Sequence, residues 1–199
     1  MTYTALTTMQ VVDLTSTSTP QWLQSSYGAM TTPRGDFAVA KLGDYAYAFG
    51  GFNHLDWCSP LSSIERYDIA NKTWTAFGNS SDLILGRGDK AFAVVEDQYI
   101  VTIGGETKDA QCSSLAVPVT DVEVFDTSTN EWSVAQALPY HRFRFPAVTA
   151  QNQIYAFGGQ HYYNASCDCY RVTSDVAVLV QNSVLAASTE VNAAAAMSS

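Results

Sequence analysis

Charge is scarce in this 199-residue chain, and basic charge scarcer still: Lys and Arg total 10, Asp and Glu 19, and the net charge is −9. That balance is repelled by phosphate backbones, and no local basic stripe offsets it, so nucleic acid is excluded as an expected partner. No apolar run approaches the length of a membrane-spanning helix. Four cysteines are too few for a disulfide-defined mini-domain. The opening MTYTALTTMQ has neither a basic region nor an apolar stretch and does not read as a secretory leader. With three histidines and no G-x-S-x-G elbow, the sequence shows no nucleophile–base pair. What is plentiful is apolar and aromatic: 47% hydrophobic residues and 12% Phe, Trp and Tyr exclude a disordered, solvated chain.

The apolar residues recur. YAYAFGG at 45–51, QYIVTIGG at 98–105 and QIYAFGG at 153–159 place glycine pairs at Gly50–Gly51, Gly104–Gly105 and Gly158–Gly159, spaced by 54 residues each time. Arg34, Arg87 and Arg142 precede these pairs by 16, 17 and 16 residues. After the first two pairs come IERYD and VEVFD, in which Tyr67 and Phe125 stand seven residues ahead of Trp74 and Trp132. Short runs such as FAVA, YAYAF, IERYD and TWTAF read as β-strands. DIANKT and DTSTNE between them carry the Asp and Asn of tight turns. Each unit therefore predicts four short antiparallel strands, and one such sheet cannot cover both of its faces. Stacking sheets radially buries the aromatic positions and gives a propeller.

An arginine, an apolar strand ending in a diglycine, and an aromatic followed by a tryptophan in this order resemble the kelch repeat, whose period is about 50 residues. The resemblance covers about residues 9 to 180. It implies an all-β chain: a partial β-propeller of about 3.5 four-stranded kelch-like blades. We divide it into the second half of a leading repeat (1–28), two repeats (29–81 and 82–139), a trailing partial repeat (140–182) and a low-complexity Ala/Ser tail (183–199). The leading half rests on Asp13 at a turn and on Trp22; the trailing unit has CYRVTSDVAVLV with strand character but no tryptophan. Proteins resembling kelch usually close a ring of six or seven blades. Three arrangements follow: a fragment of a longer propeller, a four-bladed ring, or two chains combining. The partial propeller is favoured, because an open arc exposes a sheet face and needs missing blades or self-association to complete it.

Candidate sites fall in the loops. RGD occurs at Arg34–Asp36 and again at Arg87–Asp89, but both copies keep one repeat register, and the third unit has RFRFP there, so the repeat explains them better than adhesion does. Cys58, Cys112, Cys167 and Cys169 all follow a glycine pair, in the loop between second and third strands. Loop disulfides and partly buried free thiols are both consistent with that placement, whereas paired C-x2-C zinc spacing is lacking and no metal is expected. Sequons at Asn71, Asn79 and Asn164 are candidate glycosylation sites and, with the cysteines, lean towards a secreted or cell-surface setting. The loops after the glycine pairs offer Phe52, His54, Asp56, Trp57, His161, Tyr162 and Tyr163 as a candidate rim on one face. Rigid rings mixed with polar groups suit a protein or glycan partner, although the same rings also serve to cover blade edges.

The expected function is thus a non-catalytic binding module with no cofactor. The alternative is a fragment of a galactose-oxidase-like propeller enzyme whose catalytic residues lie on missing blades. That class implies a tyrosine–cysteine crosslink and histidine ligands, and only His54 and His161 lie in suitable loops. The iron-binding E-x3-D-x3-H run of plant specifier proteins does not occur here, and neither does the BTB domain of ubiquitin-ligase adaptors.

Overall fold

Strand formation follows the alternation of the sequence: in AVAKL, Ala38 and Ala40 are buried while Val39 and Lys41 are exposed, a period of two. The computed structural model describes residues 4–180 except 13, 16–18, 20, 24–26 and 152. Asp13 and the 183–199 tail therefore lie outside the described residues. At the amino-terminal end, β1 (Leu6–Thr8), β2 (Val11–Val12), β3 (Trp22–Leu23) and β4 (Ala29–Arg34) form two small pairs, β1 with β4 and β2 with β3. The first full sheet is β5 (Ala38–Leu42), β6 (Tyr45–Phe49), β7 (Ile64–Asp68) and β8 (Thr73–Ala76), all antiparallel in sequence order. A 3-10 turn at Asn79–Ser81 leads to β9 (Ala91–Val95) and β10 (Tyr99–Ile103). The hairpin β11 (Glu106–Thr107) and β12 (Val117–Pro118) projects before β13 (Val122–Asp126) and β14 (Glu131–Val134) complete the second four-stranded sheet. The third sheet has three strands, β15 (Ala147–Ala150), β16 (Gln153–Phe157) and β19 (Val176–Val180), with the hairpin β17 (Gln160–Asn164) and β18 (Cys169–Val172) between the last two. No α-helix occurs among the described residues, and none of their helices is long and apolar enough to cross a membrane. The chain is an all-β partial propeller.

Two clusters of buried side chains lie between successive sheets. Tyr47, Phe49 and Ile64 of the first sheet meet Ile100 and Phe125 of the second, with Trp132 half-buried against them. Ala93, Val101 and Val124 of the second meet Ile154 and Ala156 of the third. Tyr67–Trp74 and Phe125–Trp132 are register pairs, their ring centres 5.1 and 5.0 Å apart. Trp132 Nε1 also donates to Ser81 O at 2.8 Å, tying the second sheet to the turn after the first. Trp22 behaves otherwise: it sits in a two-residue strand and is 65% exposed. Its strand pairs only with Val11–Val12, so no neighbouring sheet face receives the indole.

The glycine pairs are fixed by close approach. Gly50 and Gly104 have φ of +64° and +56°, and a Cβ on either would come within 2.6 and 2.5 Å of the carbonyls of Arg87 and Arg142 in the next repeat. Gly51 and Gly105 then donate to those same carbonyls at 3.0 and 2.9 Å, a backbone stitch from one blade to the next.

Candidate functional site

The repeat arginines are structural clamps. Arg34 is buried and donates to Gly50 O, Ser63 O, Ser63 Oγ and Glu65 Oε1 at 2.9–3.1 Å. Glu65 in turn accepts from the N–H groups of Thr31 and Thr32 at 2.6 and 3.0 Å. Burial alone would push the Glu65 carboxyl up, yet these N–H groups and Arg34 together hold it below the usual carboxylate range. Arg87 repeats the plan with Glu123, Thr102 Oγ1 and Gly104 O, and Glu123 accepts from Ile84 and Leu85 N–H. Both RGD arginines are thus consumed inside the fold. The aspartates after them hold the αL backbone, with φ of 52° at Asp36 and 49° at Asp89. They continue the blade-to-blade stitching: Asp89 N donates to Asp36 O at 2.9 Å and Arg144 N to Asp89 O at 2.8 Å. Arg144 also pairs with the Asp89 carboxylate at 2.6 Å.

Above this inner layer the loops of consecutive repeats touch. Phe52 bridges to Gly35 and is completely buried, its ring over Gly88, where an added Cβ would lie 2.4 Å from Cε2. This removes Phe52 from the expected rim: the space above a glycine in the next repeat draws the ring inward. Its outer face stacks on Trp57 at 4.3 Å, and Lys108 of the second repeat lies 4.8 Å from the Trp57 ring. The disulfide Cys58–Cys112 joins the same two loops, and Cys167–Cys169 closes the tip of the β17–β18 hairpin. No free thiol is found among the described residues. Tyr170 in that hairpin accepts the Ala116 N–H at 2.6 Å, so the second and third loops are joined as well.

The other candidate residues divide by exposure. His54 and Asp56 are exposed, with Asp56 Oδ1 accepting the Cys58 N–H at 3.2 Å, and Trp57 is half-buried. His161 is half-buried against Tyr140 and His141, with ring centres 4.7 and 5.9 Å away; burial and the His141 charge lower its pKa. Tyr162 is half exposed, and Tyr163 donates to Asp168 while packing edge-on to Tyr170. Of the sequons, Asn71 is exposed and donates to Asp68, Asn79 opens the 3-10 turn, and Asn164 ends β17 with its Oδ1 accepting the Ser166 N–H. No group of three His, Cys, Asp or Glu suited to a metal occurs among the described residues.

Several side chains here were not singled out from sequence: Lys108, Tyr140, His141, Tyr170 and, above all, Glu106. Glu106 lies in the position after its glycine pair, as Phe52 and Gln160 do after theirs, and that shared register was the signal available. It is 3% exposed and its Oε2 has no hydrogen-bond partner. Burial, then the nearby charge of Asp89, pushes its carboxyl up to about 7.

Comparison with known proteins agrees with this architecture. Residues 2–159 match the family described as the KLHDC2/KLHL20/DRC7 Kelch-repeats domain. Mouse Kelch-like protein 23 is 28% identical over 157 residues, covering 75% of this chain and 25% of its own length. Alpha-scruin of Limulus polyphemus is 27% identical over 137 residues, which is 67% of this chain and 14% of scruin. A protein of Thlaspi arvense named N-(sulfonatooxy)prop-2-enimidothioate sulfolyase is 26% identical over 152 residues, 70% of this chain and 40% of its own length. The chain spans about a quarter of the length of the Kelch-like relatives it matches.

Proposed function

Because the chain belongs to the kelch-repeat family, we propose that it is a non-catalytic module that grips a protein partner, or a glycan, with the loops on one face of the partial propeller. The carrying observation is the bracing of three successive loops: the Cys58–Cys112 disulfide, the Lys108 cation over Trp57, and the Tyr170 bond to Ala116. A surface held this way loses little conformational entropy when it docks. Within it Trp57 and Tyr162 are the anchors, and His54, Asp56, His161 and Tyr163 supply polar groups around them. The non-catalytic reading is supported by Arg34, Glu65, Arg87 and Glu123, which close two Arg–Glu clamps inside the fold. Two disulfides and three sequons support an oxidising, extracellular setting.

The ends of the arc also ask for partners. Val176, Val178 and Phe157 are exposed on the last sheet, at positions where the first sheet buries Ile64, half-buries Arg66 and buries Phe49. We read that end as completed by further blades or by another copy.

The test is affinity capture with crosslinking mass spectrometry, alongside a glycan array, for the wild type and a Trp57→Ala/Tyr162→Ala double variant. Crosslinks from one partner to the 54–57 loop and to the β17–β18 hairpin, lost in the variant at unchanged Tm, are expected. Crosslinks clustering instead on the β8 or β14 side would refute the assignment of the face.

A further inference from the structure

The two disulfides enclose very different lengths of chain. Cys58–Cys112 spans 54 residues and ties the loops of two repeats, with Cys112 half-buried and the Trp57–Lys108 contact beside it. Cys167–Cys169 encloses only Asp168, and all three residues are exposed at the tip of the β17–β18 hairpin. Linkage between folding and a crosslink is reciprocal: the fold protects a disulfide by as much as that disulfide stabilises the fold. Closing a separation of 54 removes a large denatured-state entropy, and the folded loops offset it by holding the two sulfurs together. A separation of two removes almost none, so folding gives the Cys167–Cys169 bond almost no protection against reduction.

Access points the same way. The hairpin is fastened at its base, where Gln160 bridges to Phe143, and along its side, where the Tyr170 hydroxyl accepts the Ala116 N–H. Both contacts leave the two cysteines exposed, so a thiolate reaches them without any part of the fold opening. The enclosed residue has its own duty. Asp168 holds the αL conformation, with φ of 49°, which a non-glycine residue keeps only under constraint. Its carboxylate accepts the Tyr163 hydroxyl, and that bond holds the phenol above its ordinary pKa.

We propose that Cys167–Cys169 is a thiol-exchange site, opened in the folded chain by a low-molecular-weight thiol while Cys58–Cys112 stays closed. The incoming thiolate attacks one sulfur. A new S–S bond forms as the Sγ–Sγ bond breaks, and the other cysteine leaves with the bonding pair and takes a proton from water. A second thiolate attacks the ligand sulfur of this mixed disulfide and releases the remaining cysteine. Two thiols are thereby oxidised to one disulfide, and the cysteine pair is reduced by two electrons. With the ring open, Asp168 leaves its constrained conformation and Tyr163 is released. The exchange stands apart from the binding face proposed above; only an effect of freed Tyr163 on docking rests on that reading.

The experiment uses the whole chain without a partner. It is equilibrated with reduced and oxidised glutathione over a series of ratios, folded and in urea, then alkylated and mapped by peptide mass spectrometry. The Cys167–Cys169 pair should open at ratios that agree within about threefold between the folded and unfolded chain, whereas Cys58–Cys112 should need conditions on the order of 10^3-fold more reducing when folded. A Tyr163 ring titration by NMR should move to lower pH when the tip disulfide is reduced. The Cys167→Ser/Cys169→Ser variant should show that lower midpoint at every glutathione ratio. Protection of Cys167–Cys169 by folding as strong as that of Cys58–Cys112, or opening of both bonds together, overturns the proposal. A Tyr163 midpoint that ignores reduction overturns its release through Asp168.

Discussion

Glu106, Phe52 and Gln160 occupy one register position, each bridging back to the residue after a repeat arginine. An apolar ring is at home there; the Gln160 amide leaves its Oε1 unpartnered, and a carboxylate adds the cost of burying a charge. An unfolded glutamate titrates near 4.5, whereas in the fold burial holds the Glu106 carboxyl up to about 7. Between those values the folded chain keeps a proton that the unfolded chain has released, so its contribution is full below pH 4.5 and is lost as pH rises through 7. The shift corresponds to about 3 kcal/mol, and solvent screening brings this nearer to about 2 kcal/mol. Glu106→Gln should therefore match the wild type near pH 4.5 and exceed its stability at pH 8 by roughly that amount, read from urea denaturation at the two pH values. Parallel pH profiles for the two proteins would show that Glu106 ionises freely in the fold.

Between the strands, the loops are held by elements of very different reach. Cys58 and Cys112 are 54 residues apart, and a crosslink over that separation removes denatured-state entropy worth about 4 kcal/mol in the chain-entropy account. Cys167 and Cys169 are two apart, so their bond constrains almost nothing beyond the hairpin tip. Replacing Cys58 and Cys112 by serine should lower Tm on the order of 10 °C and release the Trp57 stack, while the Cys167/Cys169 pair of serines leaves Tm nearly unchanged. Comparable losses in calorimetry for the two variants would deny the inter-blade bond its role. The blade strands of the first two repeats, the glycine pairs and the Phe125–Trp132 pairing are legible in the sequence, because each depends on spacing within one repeat, whereas β11–β12 and β17 fall in segments that read as loops. Glu65 and Glu123 are silent inside IERYD and VEVFD, since a carboxylate in a strand reveals its arginine, 31 or 36 residues away, only once the repeat is folded. Phe52 has the sequence signature of a rim residue for the same reason: the glycine that makes room for its ring is Gly88, one repeat away. Tyr140 and His141 flank Arg142 in sequence, yet nothing in the repeat pattern announces that they close on His161.

At the scale of the whole molecule, the two ends of the arc have complementary chemistry. The first sheet leaves a groove of about 250 Å3 lined by Met9, Met30, Val39, Ala46, Tyr67 and Trp74. By register, Val39, Ala46, Tyr67 and Trp74 correspond to Phe92, Ile100, Phe125 and Trp132, the side chains through which the second sheet receives the first. The last sheet presents Phe157, Val176 and Val178 in the register of Phe49, Ile64 and Arg66. Met9 and Met30 of the amino-terminal strands wall one side of that groove, and the part they leave open has the form of a receiving face, so a second copy can dock its last sheet there by the packing already used between sheets. Analytical ultracentrifugation of this chain should show concentration-dependent association. Val176→Asp/Val178→Asp should abolish it without unfolding the protein, because both side chains are about half exposed in the isolated arc. A wild-type chain that stays monomeric at high concentration would assign these faces to further blades of the same polypeptide. An aspartate variant that associates as well as the wild type would locate the contact elsewhere.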